Sequence, residues 1–155
     1  MKLKDNCNKM IGILRYKVFR NGILQEEFEG RNLIVDNARD QMAHLIAGEF
    51  LDRNIAYIAV GEGGAEPDDE DISLTNPCQK AVSGYSFPGS GQVLFDFEFT
   101  ADEANGMAIR EFGLFTADGK LFSRRIREDK DGNPINEPIY KNSDFSLIGE
   151  WEIIF

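Results

Sequence analysis

A chain of 155 residues with 42% hydrophobic content, including 12 Phe, has the material for one domain with a real core and is unlike the composition of a disordered chain. With 27 acidic against 17 basic residues the formal net charge is −10, a field that repels phosphate backbones and weighs against nucleic-acid binding. No apolar run reaches the roughly 20 residues of a membrane span, the first residues carry no apolar stretch of the signal-peptide kind, and Cys7 and Cys78, far apart and outside any CxxC pattern, read as reduced thiols of a protein made in the cytosol.

Met1 to Lys9 is polar and reads as a flexible N-terminal tail. From Met10 the pattern alternates: Ile11, Ile13, Arg15, Lys17 and Phe19 fall on one face, Gly12, Leu14, Tyr16 and Val18 on the other. Asn21-Gly22 then predicts a tight hairpin turn, because both central positions of that turn require positive φ, and Ile23 to Phe28 reads as the return strand. Gly30 to Val35 leads into a helix over about residues 37–47, with Asp36 as N-cap, Gly48 as the stop, and Ala38, Met42, Leu45 and Ile46 in one apolar stripe. His44, the one histidine of the chain, falls on the polar face and reads as solvated.

Asn54 to Val60 is short, apolar and rich in β-formers, hence a buried strand. The Gly61-Glu62-Gly63-Gly64 loop behind it lacks the lysine and the following helix of a phosphate cradle. The Asp68–Asp71 acidic run could bind Ca²⁺ in principle but reads as a solvated loop. Cys78 to Tyr85 reads as one further strand. Gln92 to Thr100 alternates cleanly, with Val93, Phe95, Phe97 and Phe99 opposite Leu94, Asp96 and Glu98.

Glu103 to Arg127 organises the rest. Met107 to Phe115 and Lys120 to Ile126 are strand-like runs joined through Asp118-Gly119, and both faces of both runs carry apolar residues, which predicts a hairpin buried on both sides. Glu128 to Glu137 is a polar insertion; Pro134 and Tyr140 occupy the positions where a calcium loop needs Gly and Glu, so a turn at Asp131-Gly132 explains it better. Phe145 to Phe155 is a long alternating strand with Trp151, Ile153 and Phe155 on one face and Glu150 and Glu152 on the other.

Four stretches carry a resemblance: NLIVDNARDQMAHLIAG, IAYIAVGEGG running into TNP, EANGMAIREFGLFTADGKLFSRRIR, and PIYKNSDFSLIGEWEIIF. In content and order they resemble small structural proteins of tailed bacteriophages and prophages, from the tail, collar, fibre or baseplate region. The resemblance implies a virion location, a symmetric homo-oligomer and contacts with other virion proteins. It brings no catalytic residues, and the insertion at 128–137 is longer than it leads one to expect.

The fold expected is α+β and β-rich: an antiparallel sandwich-like domain over residues 1–155 with one short amphipathic helix. One histidine gives little material for a nucleophilic triad or a His/Cys metal site, so no catalytic residue, metal or cofactor is expected. A structural subunit acting through subunit contacts is the leading expectation; a host-surface glycan- or protein-binding module is the alternative. The interface candidates are Trp151, Ile153 and Phe155, completing a sheet with a neighbour, and Arg124 and Arg125, facing Glu150 and Glu152 across a sheet or a subunit boundary.

Overall fold

The computed structural model describes residues 10–155; the tail expected over 1–9, and Cys7 with it, lie outside them. In chain order the elements are β1 (Ile11–Arg20), β2 (Ile23–Ile34), α1 (Asp36–Ile46), β3 (Ile55–Gly61), β4 (Cys78–Ala81), β5 (Gly84–Ser86), β6 (Gln92–Phe99), β7 (Ala108–Ile109), β8 (Glu111–Thr116), β9 (Leu121–Ile126), β10 (Ile139–Tyr140) and β11 (Phe145–Ile154). The protein is mostly antiparallel β with this single short helix, the α+β, β-rich class expected.

Both predicted hairpins form. Asn21 and Gly22 take φ of 49° and 77°, the paired positive values that match the right-handed twist of β1 and β2. At the second hairpin the Thr116 carbonyl accepts the Gly119 N–H at 2.9 Å, with Gly119 at φ 82°. Gly30 to Ile34, read as a lead into the helix, instead prolongs β2. The single strand expected over Cys78–Tyr85 is broken in two, and the break explains the architecture.

Nine strands join in one sheet of order β4-β3-β8-β9-β2-β1-β11-β6-β5, and β7 and β10 form a separate ribbon. β4 and β5 stand at opposite ends of that order, yet only Val82 and Ser83 separate them in sequence. The sheet must therefore curl until its edges meet. At the meeting point Val82 N–H donates to the Ala56 carbonyl in β3 (3.0 Å) and Ser83 N–H to the Asp96 carbonyl in β6 (2.7 Å). The other corner is β2, which pairs with β1 along most of its length and with β9 only at Leu33 and Ile34. Strands that change sheets at the corners are what fold one curled sheet into a sandwich.

The core fills the space between the two halves. Leu14, Tyr16 and Val18 of β1, Phe95, Phe97 and Phe99 of β6, and Leu147, Trp151 and Ile153 of β11 meet Ile58 and Val60 of β3 and Phe112 and Leu114 of β8. Each large apolar side chain buried there contributes about 1.5–3 kcal/mol. Tyr16 is stacked between Phe28 (5.1 Å) and Phe112 (4.7 Å), so an aromatic column crosses from one half to the other. Burial and the neighbouring Glu26 carboxylate raise the Tyr16 phenol above its ordinary range, against the opposing pull of Arg127.

A second apolar cluster, Val35, Ala59, Leu74, Phe115 and Leu121, lies on the far face of the β3–β8–β9 half. Leu74 comes from the loop after β3 and Val35 from the start of α1, so this half is covered on both sides and every residue of β8 and β9 is buried. The β5–β6–β11–β1–β2 half is different: among the described residues nothing covers its outer face.

The helix departs from expectation in detail. Val35 takes the N-cap position with no side-chain cap bond, and Asp36 instead receives a hydrogen bond from Arg39 at 2.7 Å. The buried positions are Ala38 and Gln41; Ile46, placed in the apolar stripe from its spacing, is 83% exposed because the helix leaves the sheet in its last turn. The Gln41 amide donates to the Thr116 hydroxyl (3.2 Å) and the Asp118 carboxylate (2.9 Å), docking α1 on the β8–β9 turn. Burial pushes the Asp118 carboxyl up, but hydrogen bonds from Thr116 and Gln41 and the charge of Arg53 outweigh it and leave the group below its ordinary value.

Candidate assembly interface

The C-terminal strand, expected to complete a sheet with a neighbour, is internal to this chain. β11 pairs with β1 from Ile11↔Ile154 to Arg20↔Phe145 and with β6 from Leu147↔Phe99 to Ile154↔Gln92, leaving no edge to donate. Trp151 and Ile153 are buried in the chain's own core. The Trp151 indole N–H donates to the Asn32 side-chain oxygen at 3.0 Å, with the amide turned so that its nitrogen donates to the Ser123 hydroxyl. Phe155 is half exposed, and its N–H donates to the Gly91 carbonyl at 2.8 Å.

The arginines also sit elsewhere than expected. Arg124 does not meet Glu150 or Glu152. Its Nε donates to Glu111 at 2.8 Å, its Nη1 to Asp71 at 2.9 Å and its Nη2 to the Ala65 carbonyl at 2.8 Å. Glu111 is itself buried, and its other oxygen accepts the backbone N–H groups of Gly63 (2.9 Å) and Thr75 (2.7 Å). A Cβ on Gly61 or Gly63 would stand 2.5 or 2.7 Å from that oxygen. The Gly-rich loop is thus a cradle for an internal carboxylate, and glycine is required there because only a bare backbone approaches so closely.

Arg125 lies over the Phe28 ring at 4.9 Å and pairs with Glu128 at 2.7 Å, while Arg127 pairs with Glu26 at 2.8 Å. Both fill the wedge that opens where β2 and β9 part. Burial lowers the Arg125 guanidinium below its usual value, with Glu128 opposing, and its Nε has no hydrogen-bond partner among the described residues. Glu152 meets Arg15 of β1 instead, at 2.9 Å, because β1 and not β9 is its neighbour. In the insertion, the Asp129 carboxylate accepts the N–H groups of Asp131 (2.8 Å) and Asn133 (2.9 Å), so it closes its own turn. His44 faces Glu49 at 2.5 Å at the end of α1.

Two surfaces remain open for contact. The first is the β5 edge. Tyr85 and Phe87 are 67% and 72% exposed and meet edge to face at 5.7 Å. Among the described residues β5 pairs only with β6 and is the terminal strand of the sheet, and the Phe87–Gly91 loop that follows it holds Phe155 through Gly91. An unpaired edge beside exposed aromatics is a ready template for another strand. Sequence reasoning gave Tyr85 no functional role; its signal was the Tyr-Ser-Phe spacing, which places Tyr85 and Phe87 on one face.

The second surface is the bare outer face of the β2–β1–β11–β6 half, where a groove of about 730 Å³ runs across the strands. Cross-strand register sets its charges in rows. One row reads Glu27–Lys17–Ile148–Glu98 and the next Glu29–Arg15–Glu150–Asp96. The alternation of β6 and β11 was readable in the sequence, but not that the two strands are neighbours, and only their pairing places these acids side by side.

Among the described residues no three acidic, His or Cys side chains converge as a metal-binding group, and no helix is long and apolar enough to cross a membrane. No protein-family model matches the chain, and no curated protein or solved structure does so either.

Proposed function

We propose that this protein is a non-catalytic structural subunit of a tailed-phage virion, in the tail, collar, baseplate or fibre-attachment region, and that it acts by contact with copies of itself and with neighbouring virion proteins. The sequence resemblance supports the virion setting. The observation that carries the assembly reading is the β5 edge, whose outer side has no strand partner among the described residues and which carries exposed Tyr85 with Phe87 next to it. Two copies of such an edge pair antiparallel about a twofold axis, each strand donating to the other, and bury the aromatics between them. The reading gives no residue a catalytic role and calls for no cofactor.

Light scattering across a concentration series tests it. The intact chain is expected to form a discrete oligomer, and a Tyr85→Ser/Phe87→Ser variant, altered only at exposed positions, to stay folded and become monomeric. An intact chain that is monomeric throughout, or a variant that assembles unchanged, overturns it. The same exposed aromatic pair is the one feature favouring a host-surface glycan module; binding of surface polysaccharide by a monomer, lost in that variant, would select the alternative.

A further inference from the structure

Folding accounts for most of the charged side chains described above, but not for three on the outer sheet face. Arg15 is held by Glu29 and Glu152, both at 2.9 Å, and Lys17 by Glu27 at 3.7 Å. Asp96 and Glu98 have no cationic partner among the described residues, and Glu150 only reaches Arg15 at 3.9 Å. Glu150 and Asp96 are direct cross-strand partners between β11 and β6. Like charges directly opposite destabilise a sheet, so folding by itself gives no reason for them. Between them and Glu98, Ile148 is 49% exposed, an apolar residue amid the charges of the groove.

We infer that this groove is a docking surface for a lysine- or arginine-bearing extended segment of a partner protein. Charge complementarity selects the occupant. A nucleic acid is repelled by the carboxylates and by the chain's net charge of −10. A second copy presenting this same face would set carboxylate against carboxylate. A basic side chain instead places its ammonium or guanidinium group between Asp96, Glu98 and Glu150 and lays its aliphatic stem along Ile148. The surface is a face of the sheet and the β5 contact is its edge; the two adjoin, since Asp96 pairs with Gly84 of β5, but the inference rests on the charges of the face and not on that edge.

The test uses the full chain and a short fluorescein-labelled peptide alternating lysine and leucine, read by fluorescence anisotropy. Binding is expected, weakening as salt is added. Asp96→Asn/Glu98→Gln/Glu150→Gln is expected to weaken it about tenfold, the combined effect of three exposed ion pairs. The control is Asp68→Asn/Asp69→Asn/Glu70→Gln, which removes the same charge from the loop over the opposite half and is expected to leave affinity unchanged. Equal losses in both variants mean generic attraction to an acidic protein and overturn the inference, as does failure of the peptide to bind the intact chain. Thermal melting is an independent reading: relieving the Glu150–Asp96 repulsion should raise the groove variant's melting temperature above that of the intact chain, and a lowered one would show these acids to be structural.

Discussion

Phe112 is the joint between the two halves of the curled sheet, and its truncation tests the architecture most directly. The ring is fully buried and stacked on Tyr16 at 4.7 Å with an interplanar angle of 26°, while Tyr16 stacks on Phe28 and Phe28 carries Arg125. Phe112→Ala removes the ring from between two faces that backbone pairing holds in place, so the site cannot collapse, and the expected loss is about 3–5 kcal/mol. Against a typical domain stability of about 5–15 kcal/mol, that leaves a protein close to its unfolding threshold. Phe112→Leu keeps most of the apolar volume and loses the stack, for about 0.5–1.5 kcal/mol. Urea unfolding followed by Trp151 fluorescence measures both, since Trp151 is the single tryptophan and is buried in the same core. A loss below about 1 kcal/mol for Phe112→Ala, with unchanged dependence on urea, would show that the halves do not depend on this contact and refute the argument.

Glu111→Gln should cost about 3–5 kcal/mol, because it leaves Arg124 buried with only Asp71 opposite it; hydrogen exchange at Gly63 and Thr75 should accelerate, and unchanged exchange would show the cradle to be incidental. Gly149→Ala should lower stability by about 1–3 kcal/mol, since its Cβ would stand 2.6 Å from the Arg15 carbonyl, a backbone atom that cannot yield, and would run into the Phe97 ring; a melt identical to that of the intact chain refutes it. Lys141 is 2% exposed and donates to the Ala101 and Asn142 carbonyls and to Asn105, with no carboxylate in that set. Burial lowers its pKa from 10.5, with Asp102 and Glu103 opposing. The folded state therefore releases this proton first, and stability should rise with pH between the lowered folded value and 10.5 relative to Lys141→Met; parallel pH profiles for the two proteins would refute it.

The legible parts of this fold were those fixed by neighbours in sequence. Asn21-Gly22 and Asp118-Gly119 turn the chain through conformations that few other residues adopt, and the alternation of β6 and β11 is set by the pleat alone. The burial of the β8–β9 hairpin on both faces was likewise readable, because apolar residues on both faces of a strand need cover on both. What escaped depended on distant pairing. Nothing within Cys78–Tyr85 says that the chain leaves one sheet at Ala81 and enters the other at Gly84; the break exists because Ala56 and Asp96 supply carbonyls to Val82 and Ser83. Ile46 was misplaced because helical spacing predicts a face but not where the supporting sheet ends. The interface candidates were misjudged in the same way. An apolar strand running on to Phe155 reads identically as a central strand and as an edge, and only the pairing of β11 with β1 on one side and β6 on the other distinguishes them.

The charged residues divide along the same line. Arg124 and Arg125 were read as groups available to a partner, yet they and Arg127 are buried, each against a carboxylate: Glu111 with Asp71, Glu128, and Glu26. Burying a guanidinium is unfavourable unless its donors are met, and the paired acids together with the Ala65 and Glu137 carbonyls meet them for Arg124 and Arg127. These three cations are thereby taken up by acids of their own half and wedge and are not available to balance the acids of the bare outer face. On the half covered by α1 and the Leu74 loop, the internal pairs tie the cover to the sheet. On the bare half no described residue covers the sheet, Asp96 and Glu150 face one another across strands, and the unbalanced charge is negative. The asymmetry follows from the topology: among the described residues α1 and the Leu74 loop both lie over the β3–β8–β9 half, and on the other face the acids of β6 and β11 stand open to a cation that approaches from outside the chain.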